Sequence, residues 1–240
     1  MKQRADIANI VAMQVANDIG PASADDSLGD IAQNQVQGAA LLDLRFRALL
    51  PRADWDALPL RVQQRFSKRL AGDRVALYAG RIEEARFSKI GWFLAQALRL
   101  IGAPLPLSRD AGVPAAVCVA EDPQGGGQLW TRIYHHRRGF PQMINSAKRF
   151  AGPSGLEEYI GKGIGMALRV RAVEGGLAFE SDHYFLKLGR IRIRIPHFCG
   201  PGRTEVRHID KGEGRFDFSL ILVHPLLGEL VYQRAEFCDQ

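Results

Sequence analysis

Between residues 113 and 237 the chain alternates apolar and polar positions in short runs, with glycine-rich turns between them and almost no room for a helix. The clearest run is 190–195, where Arg190, Arg192 and Arg194 interleave with Ile191, Ile193 and Ile195. A period of two puts the isoleucines on one face of a strand and the arginines on the other. Turns such as Gly125-Gly126-Gly127, Gly175-Gly176 and Gly200-Pro201-Gly202 supply the backbone conformations that chain reversal needs. A long antiparallel run of this kind has to close or fold over itself to hide its apolar face, and closure also removes exposed edges. The expected product is a sheet that encloses a cavity.

Strands are expected at 75–87, 115–121, 128–138, 140–150, 156–160, 164–173, 177–188, 190–195, 204–210, 215–223 and 230–237. Ser88 is placed to cap a helix over 88–100, ended by Gly102, Pro104 and Pro106. Ile90, Trp92, Phe93, Leu94, Leu98 and Leu100 cover nearly its whole circumference, so it is expected to be buried on a sheet or to lie against something greasy. Shorter helices are expected at 39–50, ended by Pro51, and at 60–70, where Val62, Phe66 and Leu70 form one stripe; Asp54-Trp55-Asp56 reads as a turn. Residues 1–38 read as a mobile extension with a transient helix at 7–17. The division expected is an N-terminal extension over 1–50 and a single antiparallel β domain over 51–240. The fold class is mainly β: a meander of about ten strands forming a calycin-like or fatty-acid-binding-like barrel or half-barrel, with one apolar helix after the first strand. A helix-grip fold is not expected, since such a fold needs a long helix after the last strand and none is read here.

Composition narrows function only slightly. The net charge of +6 favours anionic partners without naming one, and 46% hydrophobic residues suffice for a real core. Cys118, Cys199 and Cys238 are an odd number at wide spacing, so neither a disulfide framework nor a structural zinc site is expected. Reduced thiols, no signal peptide and no spanning segment point to the cytoplasm.

Several runs stand in a recognisable order: Gly127-Gln128-Leu129-Trp130-Thr131-Arg132, Phe140-Pro141-Gln142-Met143-Ile144, 146–153, Gly155-Leu156-Glu157-Glu158-Tyr159, Gly214-Arg215-Phe216-Asp217-Phe218 and His224-Pro225-Leu226-Leu227-Gly228. Together they resemble the bacterial DUF4166 family, a domain of unknown function, over most of the chain from Phe46 to Phe237. The resemblance implies no assigned activity and no catalytic residues. It does imply a possible partner, since members of that family also occur attached to NAD(P)-binding dehydrogenase-like domains. This chain has no GxGxxG of its own after a strand, and no cofactor is expected.

Trp130, Arg132, Tyr134 and His136 share one strand face, a set that can grip a small apolar or lipid-like molecule by an anionic end. Lys148 and Glu158 flank the 152–155 turn and can either pair across a hairpin or stand inside the barrel at the mouth of a pocket. A buried Glu158 would have a raised pKa fit for acid–base work. His224 completes the candidate ligand-binding set, although His224-Pro225 also reads as shaping the last turn. No histidine pair has a metal-ligand spacing, and no GxSxG marks a nucleophile. The arginines at 190, 192 and 194, extended by Arg169 and Arg171, form a basic stripe suited to an anionic membrane surface; nucleic acid is not expected, because aromatic interleaving is missing. The expected function is a binding module for that ligand rather than an enzyme by itself. The alternatives are an accessory or catalytic domain beside a dehydrogenase-like partner, and a membrane-surface or protein-interaction module.

Overall fold

The computed structural model describes residues 42–72 and 74–239. Eleven strands dominate: β1 (Val75–Phe87), β2 (Val113–Asp122), β3 (Gly127–Tyr134), β4 (Gln142–Arg149), β5 (Leu156–Gly161), β6 (Ile164–Val173), β7 (Gly176–Leu188), β8 (Ile191–Arg194), β9 (Arg203–Gly212), β10 (Arg215–His224) and β11 (Gly228–Cys238). Consecutive strands pair antiparallel from β1 to β7; β7 then pairs with β9, and β11 returns to β1. The sheet is thus a closed barrel of ten strands with β8 outside it. It fits a calycin-like fold, and closure decides the question between barrel and half-barrel.

All the strands expected from the period-two pattern are present. The most regular alternation, however, belongs to the strand outside the barrel. Among the described residues β8 pairs only with the end of β7, and Ile191 and Ile193 remain exposed at 65% and 49%. Arg192 instead lies over the outward-facing Phe185 ring and pairs with Glu157. The stripe is largely neutralised elsewhere as well, since Arg169 pairs with Asp182 at 2.6 Å and Arg171 pairs with Glu180.

Two short helices, α1 (Arg52–Asp56) and α2 (Leu60–Phe66), cap the lower end of the barrel. Pro51 and Pro59 stand immediately before them, where a missing N–H costs nothing. Phe46 is fully buried, packed edge-on against Phe66, Phe150 and Phe179 at centroid distances of 5.2, 4.9 and 6.2 Å. On the inner side of α2, Arg65 forks onto Asp239 at 2.8 and 2.7 Å and reaches Asp210 at 2.8 Å, tying the helix to the ends of β11 and β9. Phe46 and α2 are thereby tied into the lower end of the barrel. The helix expected over 39–50 reduces, among the described residues, to a 3₁₀ turn at Arg47–Leu49. A backbone bridge between Leu42 and Lys68 and the Asp43 N–H to Ser67 carbonyl bond hold this segment extended and end α2 early. Residues 54–56 lie in α1 rather than in a turn. The extension and the helix expected at 7–17 lie outside the described residues.

The connection after β1 carries α3 (Lys89–Ala97) and a 3₁₀ turn, Leu98–Ile101, ended by Gly102 at φ +112°. The Ser88 hydroxyl accepts the Gly91 N–H at 3.0 Å, as a capping serine does. Only Gly91 and Ala95 of α3 are buried, so the expectation of a buried helix fails. Contact runs along a narrow stripe of small residues of α3, Gly91 and Ala95, against Leu230 and Val231 of β11. A Cβ at Gly91 would stand 1.9 Å from the Leu230 carbonyl oxygen, which is why glycine is needed there. Ile90, Trp92 and Phe93 are left facing outward.

Replacing Phe46 by alanine opens a hole in the ring cluster that seals the lower end. Loss of a buried phenylalanine costs about 3–5 kcal/mol. Urea denaturation of Phe46→Ala should show a loss in that range; a loss under about 1 kcal/mol would mean that the cap is not part of the barrel core.

Candidate functional site

Period-two strands bring Trp130, Arg132 and Tyr134 of β3 inward, with Ile144, Ser146 and Lys148 of β4 beside them and Glu158 of β5 beyond. The register sets Lys148 directly opposite Glu158. The Arg132 guanidinium donates to Ser146 Oγ at 3.0 Å and to Glu158 Oε1 at 3.2 Å, and Ser146 Oγ donates to the same Oε1 at 2.7 Å. Lys148 Nζ stands 3.0 Å from Glu158 Oε2, off the line of a hydrogen bond, and 4.6 Å from the Trp130 ring centroid. Two buried cations thus share one carboxylate.

Both alternatives for Lys148 and Glu158 hold at once: they pair across the hairpin and stand inside the barrel. They lie deep within it, not at its mouth. The acid–base role expected of Glu158 does not survive. Burial alone would raise its pKa, but the charges of Lys148 and Arg132 and the Ser146 hydrogen bond outweigh burial and hold it below the ordinary carboxylate range. Burial pushes the Lys148 ammonium down, partly offset by Glu158. A carboxylate held ionised among donors is a poor proton shuttle at neutral pH.

Above this cluster lies a cavity with about 80 Å³ free to the centres of water-sized groups. Its floor carries Arg132, Ser146 and Glu158, its walls include Ile144, Met166, Val206, Leu220 and Leu222, and its roof is Leu98 with Pro104, Leu105 and Pro106. Tyr134 and Tyr184 also line it, and the Tyr184 hydroxyl bonds to Thr204 Oγ1 at 2.6 Å. Gln142, at the start of β4, pins the roof: its Nε2 donates to the Leu105 carbonyl at 2.9 Å and its Oε1 accepts from the Leu107 N–H at 2.9 Å. The arrangement can hold a small apolar body and meet an anionic end with the unused N–H groups of Arg132.

A smaller cavity lies below Trp130, walled by Phe66, Tyr78, Phe216 and Phe237. His208 points into it, stacked on Phe216 at 4.5 Å, and its Nδ1 finds no partner among the described residues. Burial, helped by the nearby Arg65 charge, pushes its pKa down to about 3.

His224 is not among the cavity residues. It sits at the end of β10 and accepts the Leu226 N–H at 3.2 Å, so it shapes the turn. His136 falls beyond the end of β3 and lies 3.8 Å from Asp110. Ser146, Gln142, Tyr184, Thr204 and His208 were not singled out as site residues from the sequence. Ser146 and His208 carried a usable signal, being two residues from Lys148 and Val206 on inward faces. Gln142 and Tyr184 did not, because their roles depend on the roof and on closure. Among the described residues, no three His, Cys, Asp or Glu side chains converge as a metal would require, and no helix is long and apolar enough to cross a membrane.

Fold and interior together define a calycin-like β-barrel with a charged cluster at the floor of an apolar cavity. The chain belongs to the DUF4166 family, a domain of unknown function whose family model matches residues 58–237, most of the chain. No curated protein and no solved structure matches it.

Two outcomes check the electrostatics. Glu158→Gln leaves Lys148 and Arg132 buried without a counter-charge and should cost about 3–5 kcal/mol in urea, with Lys148→Met on top recovering at least half. A single-variant loss below about 1 kcal/mol would contradict the burial of the pair. Folded His208 takes up a proton far less readily than the unfolded chain does, so stability should fall as pH drops below about 6.5. Between pH 7 and pH 5 wild type should lose about 2 kcal/mol more than His208→Phe; equal slopes would contradict a neutral, buried His208.

Proposed function

We propose that the protein is a binding protein whose barrel holds a small, mainly apolar molecule with an anionic end. The observation that carries this reading is the charge balance of the interior: among the described residues Arg132 and Lys148 face a single carboxylate, Glu158. Buried ion pairs are seldom worth more than apolar residues of equal volume, and an unbalanced buried cation is a net cost. An anion at Arg132 offsets that cost. Its apolar part would lie among Ile144, Leu220 and Leu222 under the Leu98–Leu105 roof. The free space suits roughly six water-sized groups, so a longer chain requires the roof to shift. A carboxylate or a phosphate monoester meets the guanidinium equally well. The ionised state of Glu158 supports binding over acid–base turnover.

Arg132→Met separates these contributions. It removes the surplus charge and leaves Glu158 paired with Lys148 and Ser146, so the melting temperature should stay level or rise. Calorimetric affinity for octanoate should nevertheless fall by about tenfold or more, the worth of a charge-assisted hydrogen bond, while the weaker affinity for methyl octanoate stays unchanged. Equal affinity of wild type for acid and ester, or an unchanged affinity in the variant, would contradict the reading.

A further inference from the structure

One arc of the upper rim is built unlike the rest of the surface. It comprises α3 with its 3₁₀ turn, the β3–β4 connection and the β10–β11 turn. These are contiguous, since β3, β2, β1, β11 and β10 are successive neighbours in the sheet. Large apolar side chains stand outward along it: Phe93 at 67% exposure, Leu100 at 78%, Phe140 at 93% and Leu226 at 87%. Among the described residues every exposed tryptophan or phenylalanine, namely Trp92, Phe93, Phe140 and Phe198, lies in a connection at this end of the barrel. Scattered exposed apolar residues are ordinary, but a contiguous aromatic patch marks a contact surface.

Charge says what covers it. Lys89, Arg99, Arg109, Arg137 and Arg138 line a shallow basin beside Trp92 and Phe93, against one acid, Asp110. Asp110 is engaged by the Arg137 backbone N–H at 3.0 Å and lies 3.8 Å from His136. Among the described residues, none of the five basic side chains forms a salt bridge, whereas most arginines on the barrel wall do, those at 169, 171, 203, 207, 215 and 234 among them, with Arg81 an exception. Aromatic rings at loop tips, with unpaired Lys and Arg between them, match the boundary between acyl chains and anionic headgroups. An acidic protein surface would meet the cations but leave Phe140 and Leu226 at the tips in water.

We infer that this rim docks on the surface of an anionic lipid bilayer, with Trp92, Phe93 and Phe140 entering the headgroup boundary and the five basic residues meeting lipid phosphates. The inference does not depend on what the cavity holds. The docked face includes the connection that roofs the cavity, so an amphiphilic ligand would leave or enter next to the membrane.

The test is sedimentation of the full chain with phosphatidylcholine vesicles, with and without phosphatidylserine, at low and high salt. Binding to the phosphatidylserine vesicles is expected, at least about tenfold weaker in high salt and at least about tenfold weaker on phosphatidylcholine alone. Trp55 and Trp130 are buried and Trp92 is half-exposed, so a blue shift of tryptophan emission on vesicle binding should vanish in Trp92→Phe. Arg137→Glu with Arg138→Glu, and separately Phe93→Ser with Phe140→Ser, should each lower binding about tenfold, while Leu60→Ser at the opposite end leaves it unchanged. All these side chains are exposed, so circular dichroism should match wild type. No binding to phosphatidylserine vesicles overturns the inference. So does binding that ignores salt and lipid charge, or binding with no emission shift and no loss in the rim variants.

Discussion

The pairing of β1 with β11 is the contact on which the molecule depends. Nearly every other strand pair is a local hairpin, but this one joins residues 79–87 to residues 231–238 across the length of the domain. Gly80 makes the approach possible, because a Cβ there would collide with the Phe237 ring and the Glu236 carbonyl. Without the seam the strands would form an open sheet with two bare edges and one wet apolar face. With it, that face becomes an interior from which water is largely removed. The seam also carries the loop-closure entropy of the whole domain, so folding is expected to wait on it.

Once the interior is closed, its polar groups have to find their partners there, and most do, His208 Nδ1 being an exception among the described residues. Ser146, Arg132 and Glu158 do so within one cluster, and Gln128 accepts the Trp130 indole N–H at 3.2 Å. What does not balance is charge. Among the described residues Lys148 has Glu158 as its only nearby anion and Arg132 as a competitor for it. A barrel selected for stability alone would fill these positions with apolar residues. Keeping them is intelligible if the cavity above the cluster receives an anion.

Much of this was legible in the sequence. Period-two alternation located the strands and put Trp130, Arg132 and Tyr134 on one face, which the structure turns inward; Lys148 and Glu158 were legible only as flanks of one turn, with pairing across the hairpin and a place inside the barrel both open. What failed did so for identifiable reasons. The alternation at 190–195 is a property of a strand and says nothing of whether the strand joins the barrel. The apolar circumference of α3 suggested burial, but Gly91 and Ala95 alone settle which stripe touches β11, leaving the larger side chains outside. The state of Glu158 could not be read at all, because it turns on Arg132 arriving from two strands away. Nor could the neutralisation of the basic stripe, which depends on acids supplied by neighbouring strands.

The most direct measurement is a crystal structure of the protein grown with octanoate. Density is expected in the upper cavity, with the carboxylate within hydrogen-bond distance of the Arg132 guanidinium, the chain running between Ile144 and Leu222 toward Leu105, and the Leu98–Leu105 roof shifted to admit it. A cavity holding only ordered water, or octanoate bound solely on the outer surface, would contradict it.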